Sequence, residues 1–218
     1  MPRAERSPRP DLRHERSLAR RGLVPIAGLD EAGRGALAGP LYAAAVILPV
    51  YRFDLAAALQ EVRDSKMMTP RQRRRCAEHI RSLALAWAVA SSTCDEVDRL
   101  GPLQATYLAM RRALHGLSLP PHHLLIDHVR LPEVQPDQTP VTHGDARVLS
   151  IAAASVLAKV ARDQAMDDFA RAFPTYGFSH HKGYGTAAHL RALRRWGPCP
   201  IHRRSFEPVA ILLPTATR

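Results

Sequence analysis

No stretch of this sequence stays apolar for the roughly 18 residues that a membrane-spanning helix needs, which excludes an integral helical membrane protein. The N-terminus is charged but is not followed by the apolar segment of a secretory signal. Glu5, Asp11 and Glu15 count against a transit peptide, a class poor in acids. Cysteine is scarce: Cys76, Cys94 and Cys199 are odd in number, far apart and form no C-x-x-C. That argues against a disulfide framework or zinc ribbon and favours a reducing, cytoplasmic setting. There is no G-x-S-x-G, no H-E-x-x-H and no G-x-x-x-x-G-K-[ST], so a nucleophile elbow, a zinc-protease helix and a P-loop are all excluded. Lysine is scarce as well. Lys66, Lys159 and Lys182 are the only three among 31 Lys and Arg, and each falls in a segment singled out below.

The 218 residues suit one domain plus a tail, and 46% apolar with 23% charged residues is ordinary for a globular chain. The formal charge is +11. Seven Arg and three acids lie in the first 21 residues, so most of the excess belongs to the remaining body. A basic body suits a polyanion, and nucleic acid is the commonest such partner. Residues 1–10, rich in Pro, Arg and Ser, are expected to be a disordered basic tail, with a single domain over 11–218.

Hydrophobic periodicity predicts strands at 24–30, 41–48, 85–91, 123–127 and 141–143. It predicts helices at 11–21, 69–83, from Thr93, at 102–115, 149–173 and 186–196. Thr69-Pro70, Thr93-x-x-Glu96 and Thr186 serve as start signals, and Gly197 as a stop. Ala152, Ala153, Ala154 and Ala158 permit close packing of the long helix. Alternating strands and helices predict an α/β layered domain with a mixed sheet.

The segment from Gly28 to Pro40 is the most informative. Asp30 and Glu31 close an apolar strand and run into Gly33-Arg34-Gly35. Glycines there let backbone approach a ligand, and Arg34 can pair with phosphate. A dinucleotide loop is rejected, because Gly33-x-Gly35-x-x-x-Gly39 has one residue too many and leads into a strand rather than a helix. A tight hairpin bearing two surface acids is the plainer alternative. Asp127 ends another apolar strand as a terminator or a site residue. Asp145, before the long helix, is a cap or a site residue. Asp163 reads as a solvated or paired structural acid.

Four converging carboxylates would be costly, since like charges about 4 Å apart repel by roughly 4 kcal/mol near a protein surface. Mg²⁺ or Mn²⁺ would remove that cost, and two such ions could hold an attacking water and a leaving 3′-oxygen. The segment from His180 to Thr186 opens the last helix. Lys182 adds charge there, Tyr184 offers a flat ring, and the histidines read as solvated or phosphate-facing. Arg71, Arg73, Arg74 and Arg75, and Arg191, Arg194, Arg195, Arg203 and Arg204, read as solvated helix faces that could track a backbone.

Taken together, IAGLDEAGRGALAGP (26–40), DSK (64–66), LLIDH (124–128), GDARVLSIAAASVLAKVARD (144–163), FSHHKGYGT (178–186) and HRRSFEP (202–208) resemble bacterial ribonuclease HII over nearly the whole chain. The resemblance implies an RNase H-like fold with a central mixed five-stranded sheet flanked by helices. It implies metal-dependent cleavage of the RNA strand of RNA/DNA hybrids, and incision 5′ to single ribonucleotides in duplex DNA, leaving 3′-hydroxyl and 5′-phosphate ends. Asp30, Glu31, Asp127 and Asp145 match the family's catalytic and metal-site carboxylates. Gly33, Arg34 and Gly35 match the loop that reads the ribose 2′-OH, and Tyr184 the tyrosine that packs on the neighbouring sugar. Ser65, Lys66, Lys182 and Ser155 fall at backbone-phosphate contacts. His128 departs from the family's usual Gly, His143 from its usual Lys, and Met67-Met68 from a more polar pair. The expectation is a monomeric, cytoplasmic enzyme using two Mn²⁺ or Mg²⁺ ions. The alternatives are a non-catalytic RNA/DNA-hybrid-binding module, and a resolvase- or integrase-like nuclease acting on all-DNA substrates.

Overall fold

Five short apolar runs become the strands of one sheet in the computed structural model, which describes residues 9–213. The elements are α1 (Arg13–Arg20), β1 (Ile26–Ala32), β2 (Leu41–Ile47), α2 (Leu55–Ala58), α3 (Pro70–Leu83), β3 (Ala86–Ser92) and α4 (Cys94–His115). They continue with β4 (His123–Asp127), β5 (Asp137–Val141), α5 (Leu149–Ala172), α6 (Phe178–His181), α7 (Ala187–Trp196) and α8 (Glu207–Ala210). The sheet order is β3-β2-β1-β4-β5, with β1, β4 and β5 parallel and β2 antiparallel to both of its neighbours. This is the mixed five-stranded sheet expected.

Both faces are covered. Ala44 and Val46 of β2 pack with Ala77 and Ile80 of α3 and with Ala152, Val156 and Leu157 of α5. On the other face Ala27, Leu29, Ala43 and Ala45 pack with Ala105, Ala109 and Met110 of α4. The alanines of α5 bring it down to backbone contact. A Cβ on Gly28 would lie 2.2 Å from the carbonyl carbon of Ser150, so only glycine fits where α5 crosses β1.

Several expectations need adjustment. β1 starts at Ile26 rather than 24, because Pro25 has no N–H to give a ladder and its carbonyl is taken by the amides of His122 and His123. The fifth strand is Asp137–Val141, not 141–143. Its polar residues carry no apolar alternation, and Pro140 is tolerated because the strand lies at the sheet edge. The two helices expected after Thr93 run together as α4, broken where Gly101 takes φ +77° ahead of Pro102. His128 has φ +58° and His143 φ +54°, so the left-handed turn after Asp127 is kept even though its residue is not glycine. The tail expected over 1–10 lies mostly outside the described residues. Pro10 is already buried, and the Asp11 amide bonds to the carbonyl of Arg147.

The start of α5 has no cap of its own, since Val148 cannot accept a hydrogen bond through its side chain. The N-terminal segment supplies the acceptors. Leu149 N donates to the carbonyl of Asp11 at 2.9 Å, and Ser150 N to Oε1 of fully buried Glu15 at 2.8 Å. Burial holds the Glu15 carboxyl above its ordinary value of 4.5. Glu15→Ala should cost about 1–3 kcal/mol in urea unfolding, because it strands a buried N–H donor. Glu15→Gln, which keeps the acceptor, should cost much less. Equal losses for the two would show that the cap is not what matters.

Candidate active site

Parallel pairing of β1 with β4 sets Leu29 beside Ile126. One step further along, Asp30 and Asp127 end up at neighbouring strand ends, and strand alternation turns both toward the face covered by α5. Asp30 is only 4% exposed. Its Oδ1 accepts from Glu31 N at 2.7 Å, and the Ser155 hydroxyl of α5 also bonds to it. Asp127 Oδ1 accepts from Gly144 N at 2.7 Å, which anchors the 3₁₀ turn Gly144–Ala146 that carries Asp145. Asp145 is 6% exposed, and its Oδ2 lies 3.4 Å from Lys66 Nζ.

Asp127 adds to the rise of each of the other three carboxyls. Burial, then Glu31, then Asp127 hold the Asp30 carboxyl well above its ordinary 3.8. Glu31 is raised by burial, with Arg34 and Lys66 opposing and Asp127 adding to the rise. Asp145 is raised by burial and then Asp64, with Asp127 adding and Lys66 opposing. As arranged, oxygens of Asp30, Asp127 and Asp145 face protein donors. Among the described residues, no three His, Cys, Asp or Glu side chains gather at distances that would hold a metal ion. The chemistry of the donor set nevertheless fits hard dications, because every donor is a carboxylate oxygen and the group carries excess negative charge in a mostly buried place.

Gly33, Arg34 and Gly35 follow β1 directly. Gly33 has φ +89°, and a Cβ there would lie 1.8 Å from Nε of Arg162, so the loop rests on that guanidinium. Fully buried Arg162 donates to the carbonyls of Pro40 and Ala38, both at 3.1 Å. Fully buried Arg203 donates to Gly39 O at 2.8 and 3.0 Å and to Arg34 O at 2.8 Å. The reading of Arg203 as part of a solvated face is therefore wrong, because its charge is spent on loop carbonyls. Arg73 is corrected in the same way: it is buried, bonded to Met68 O and Ser65 O, and paired with Asp163 at 2.9 Å. Asp163 is the paired structural acid expected.

A cleft of about 550 Å³ gathers all three lysines with Arg73, Arg74 and Tyr184. Lys159 is paired with Asp163 at 2.6 Å and Lys182 with Asp167, while the Lys66 side chain is 76% exposed. Of the groups expected at phosphate, Lys66 and Lys182 are both in ion pairs, with Asp145 and Asp167, but only the Lys66 side chain is largely exposed. Ser65 and Ser155 are buried and bonded to each other at 3.0 Å, so they brace Asp30 rather than face solvent. Tyr184 is 36% exposed, and its ring lies over Arg162 at 5.1 Å and Lys159 at 5.6 Å. His181 is not solvated, since its Nε2 donates to Tyr176 O at 2.8 Å. Sequence reasoning missed Arg162. Its i, i+4 spacing from Ala158 and to Met166, both buried, was the available sign that it faces inward.

A family model described as Ribonuclease HII matches residues 27–209. The chain belongs to the ribonuclease HII family. It is 51% identical over 209 residues to a ribonuclease HII of Roseiflexus castenholzii, covering 96% of this chain and 93% of that one. It is 50% identical over 192 residues to that of Thiobacillus denitrificans, covering 88% and 92%. These relatives support a type II ribonuclease H, a nuclease. Among solved structures, a ribonuclease H2 from Pyrococcus horikoshii superposes with TM-score 0.71 at 23% identity, over 86% of this chain and 96% of that one. A Bst ribonuclease HIII solved with Mn²⁺ gives 0.66 at 19%, over 88% and 71%. At such identities they establish the RNase H-like fold alone.

A carboxyl whose folded value is raised costs folding stability once pH passes its unfolded value, and the cost grows until pH passes the folded one. Without added metal, Asp30→Asn should therefore match wild type below about pH 3.8, the unfolded value. Above that pH it should become the more stable protein. The advantage should grow by about 1.4 kcal/mol for each further pH unit until the folded value is reached. Thermal unfolding across pH checks this, and a wild type that stays ahead near neutrality would contradict it.

Proposed function

We propose that this ribonuclease HII family member is a metal-dependent endoribonuclease of the cytoplasm, acting as a monomer. It cuts the RNA strand of RNA/DNA hybrids and incises 5′ to single ribonucleotides embedded in duplex DNA, leaving 3′-hydroxyl and 5′-phosphate ends. The observation that carries this reading is geometric: the register of β1 and β4 brings Asp30 with Glu31 beside Asp127, the Gly144 N–H on Asp127 brings Asp145 to the same place, and Lys66, 3.4 Å from Asp145, also lines the lysine-bearing cleft.

In this reading Asp30, Glu31, Asp127 and Asp145 would hold two Mn²⁺ or Mg²⁺ ions. When bound, such ions neutralise the carboxylates, favour ionisation of the attacking water and stabilise the departing 3′-oxygen. The chain's own residues do the rest. Glu31 and Asp145 lie beside Arg34 and Lys66, whose charges are placed to steady phosphate oxygens. Gly33, Arg34 and Gly35 offer backbone and side-chain donors to a 2′-OH, the one group that marks a ribose. The half-exposed ring of Tyr184 offers a flat surface to the next sugar, and the cations beneath it hold it there.

Duplex DNA carrying one ribonucleotide, incubated with Mg²⁺ or Mn²⁺, should be cut on the 5′ side of that ribonucleotide, while all-DNA duplex is left whole. Asp127→Asn should lower kcat by about a thousandfold or more while keeping hybrid affinity. No incision by folded wild type with either ion overturns the reading.

A further inference from the structure

A buried chain of contacts runs from Tyr184 to Arg34, and its shortest contacts set the direction of each hydrogen bond. The carbonyl of Tyr184 can only accept, so the His189 Nδ1 lying 3.0 Å away carries a proton and donates it. In the neutral ring Nε2 of His189 is then an acceptor, and it faces Nε2 of His202 at 3.0 Å, which must donate. That leaves Nδ1 of His202 to accept from Cys199 N at 2.9 Å, its shortest contact, with the Cys199 thiol at 3.1 Å and the Cys199 carbonyl at 3.3 Å also beside it. His181 stacks on His189 at 4.4 Å and is likewise satisfied as a neutral ring, accepting from Gly183 N. Both members of the central pair are buried.

The next residue continues the chain. Arg203 N donates to Leu37 O at 2.8 Å, and the Arg203 guanidinium holds Gly39 O and Arg34 O. From the other side, Leu37 N donates to Gly183 O at 2.9 Å. The backbone of Tyr184, which carries the ring, and the carbonyl of Arg34 in the Gly33–Gly35 loop are thus tied to each other largely through buried groups. We infer that His189 and His202 are positioning residues that set the distance between the tyrosine surface and the glycine-arginine loop, and so set the preference for an RNA–DNA junction over a uniform hybrid. The inference rests on the proposed function. A junction has to satisfy both readers at once, whereas a uniform hybrid presents a ribose at every step. A displacement of about 1 Å is enough to lower a rate strongly.

The test uses the full chain with Mg²⁺ on two substrates, a duplex with one embedded ribonucleotide and a uniform RNA/DNA hybrid. The readout is the ratio of their kcat/KM values. His202→Leu removes the donor to His189 and should lower the ratio by about tenfold. His202→Gln places an amide N–H near the lost Nε2–H and should stay within about threefold of wild type. His189→Asn keeps a donor for Tyr184 O but cuts the link to His202, so it should behave like His202→Leu. It also keeps the test decisive if the leucine variant does not fold. In a Tyr184→Ala background, His202→Leu should leave the ratio where Tyr184→Ala alone puts it. Variants that lose both activities equally, or that keep the wild-type ratio, overturn the inference and leave the proposed function standing. A wild type that cuts neither substrate overturns both.

Discussion

The placement of one carboxylate governs the rest of this molecule. Asp30 is buried between β1 and α5 with Glu31 beside it and Asp127 on the adjoining strand. A charge so placed is unfavourable unless hydrogen bonds or a counter-charge compensate it. Ser155 and Glu31 N supply the hydrogen bonds, Gly144 N does the same for Asp127, and the Ser65–Ser155 pair keeps the donor layer in place. The close crossing at Gly28 sets α5 at the depth where Ser155 can reach Asp30. Packing and electrostatics are therefore one problem here: a larger residue at Gly28 would lift the helix that supports the acid.

The positive side of the site is built in the opposite manner. Arg162 and Arg203 are both fully buried, and neither has a carboxylate partner among the described residues. Their hydrogen bonds go to the carbonyls of Arg34, Ala38, Gly39 and Pro40, which stiffen the loop after β1. Burial holds Arg203 down, to about 10. That is still far above neutrality, so the charge remains and contributes to the field beneath Gly33 and Tyr184. The exposed surface holds much of the remaining basic excess. A nucleic-acid strand would meet exposed cations such as Lys66 first and the buried ones beneath the loop afterwards.

Much of this was legible in the sequence, for identifiable reasons. Apolar runs ending in acids marked β1 and β4, and the Ala-rich start of α5 announced a helix lying close on a sheet. The capping box at Thr93 forms as read, and the helix start at Thr69 holds, with Gln72 completing a capping box there as well. The edge strand was misplaced because Asp137, Gln138 and Thr139 carry no buried face to betray it. The charged residues were harder. Arg73 and Arg203 look like their solvated neighbours in sequence, and only tertiary structure reveals that carbonyls claim them. Likewise nothing local tells Lys182, largely covered and held by Asp167, from Lys66, which stays exposed while reaching Asp145. The cap on α5 comes from Glu15, 135 positions away along the chain, and no window of sequence could show it.

If the clustered carboxylates are tolerable because dications are meant to lie among them, metal must stabilise the fold itself and not only switch on a reaction. The most direct measurement is calorimetric unfolding of wild type and Asp30→Asn near neutral pH, with and without Mn²⁺ at about a hundred times its Kd. Binding at that excess is worth about 2.7 kcal/mol, so wild-type Tm should rise by about 5–10 °C. Asp30→Asn, with one charge of the cluster gone, should gain far less. A wild-type Tm indifferent to Mn²⁺, or an equal gain in both proteins, would contradict the account.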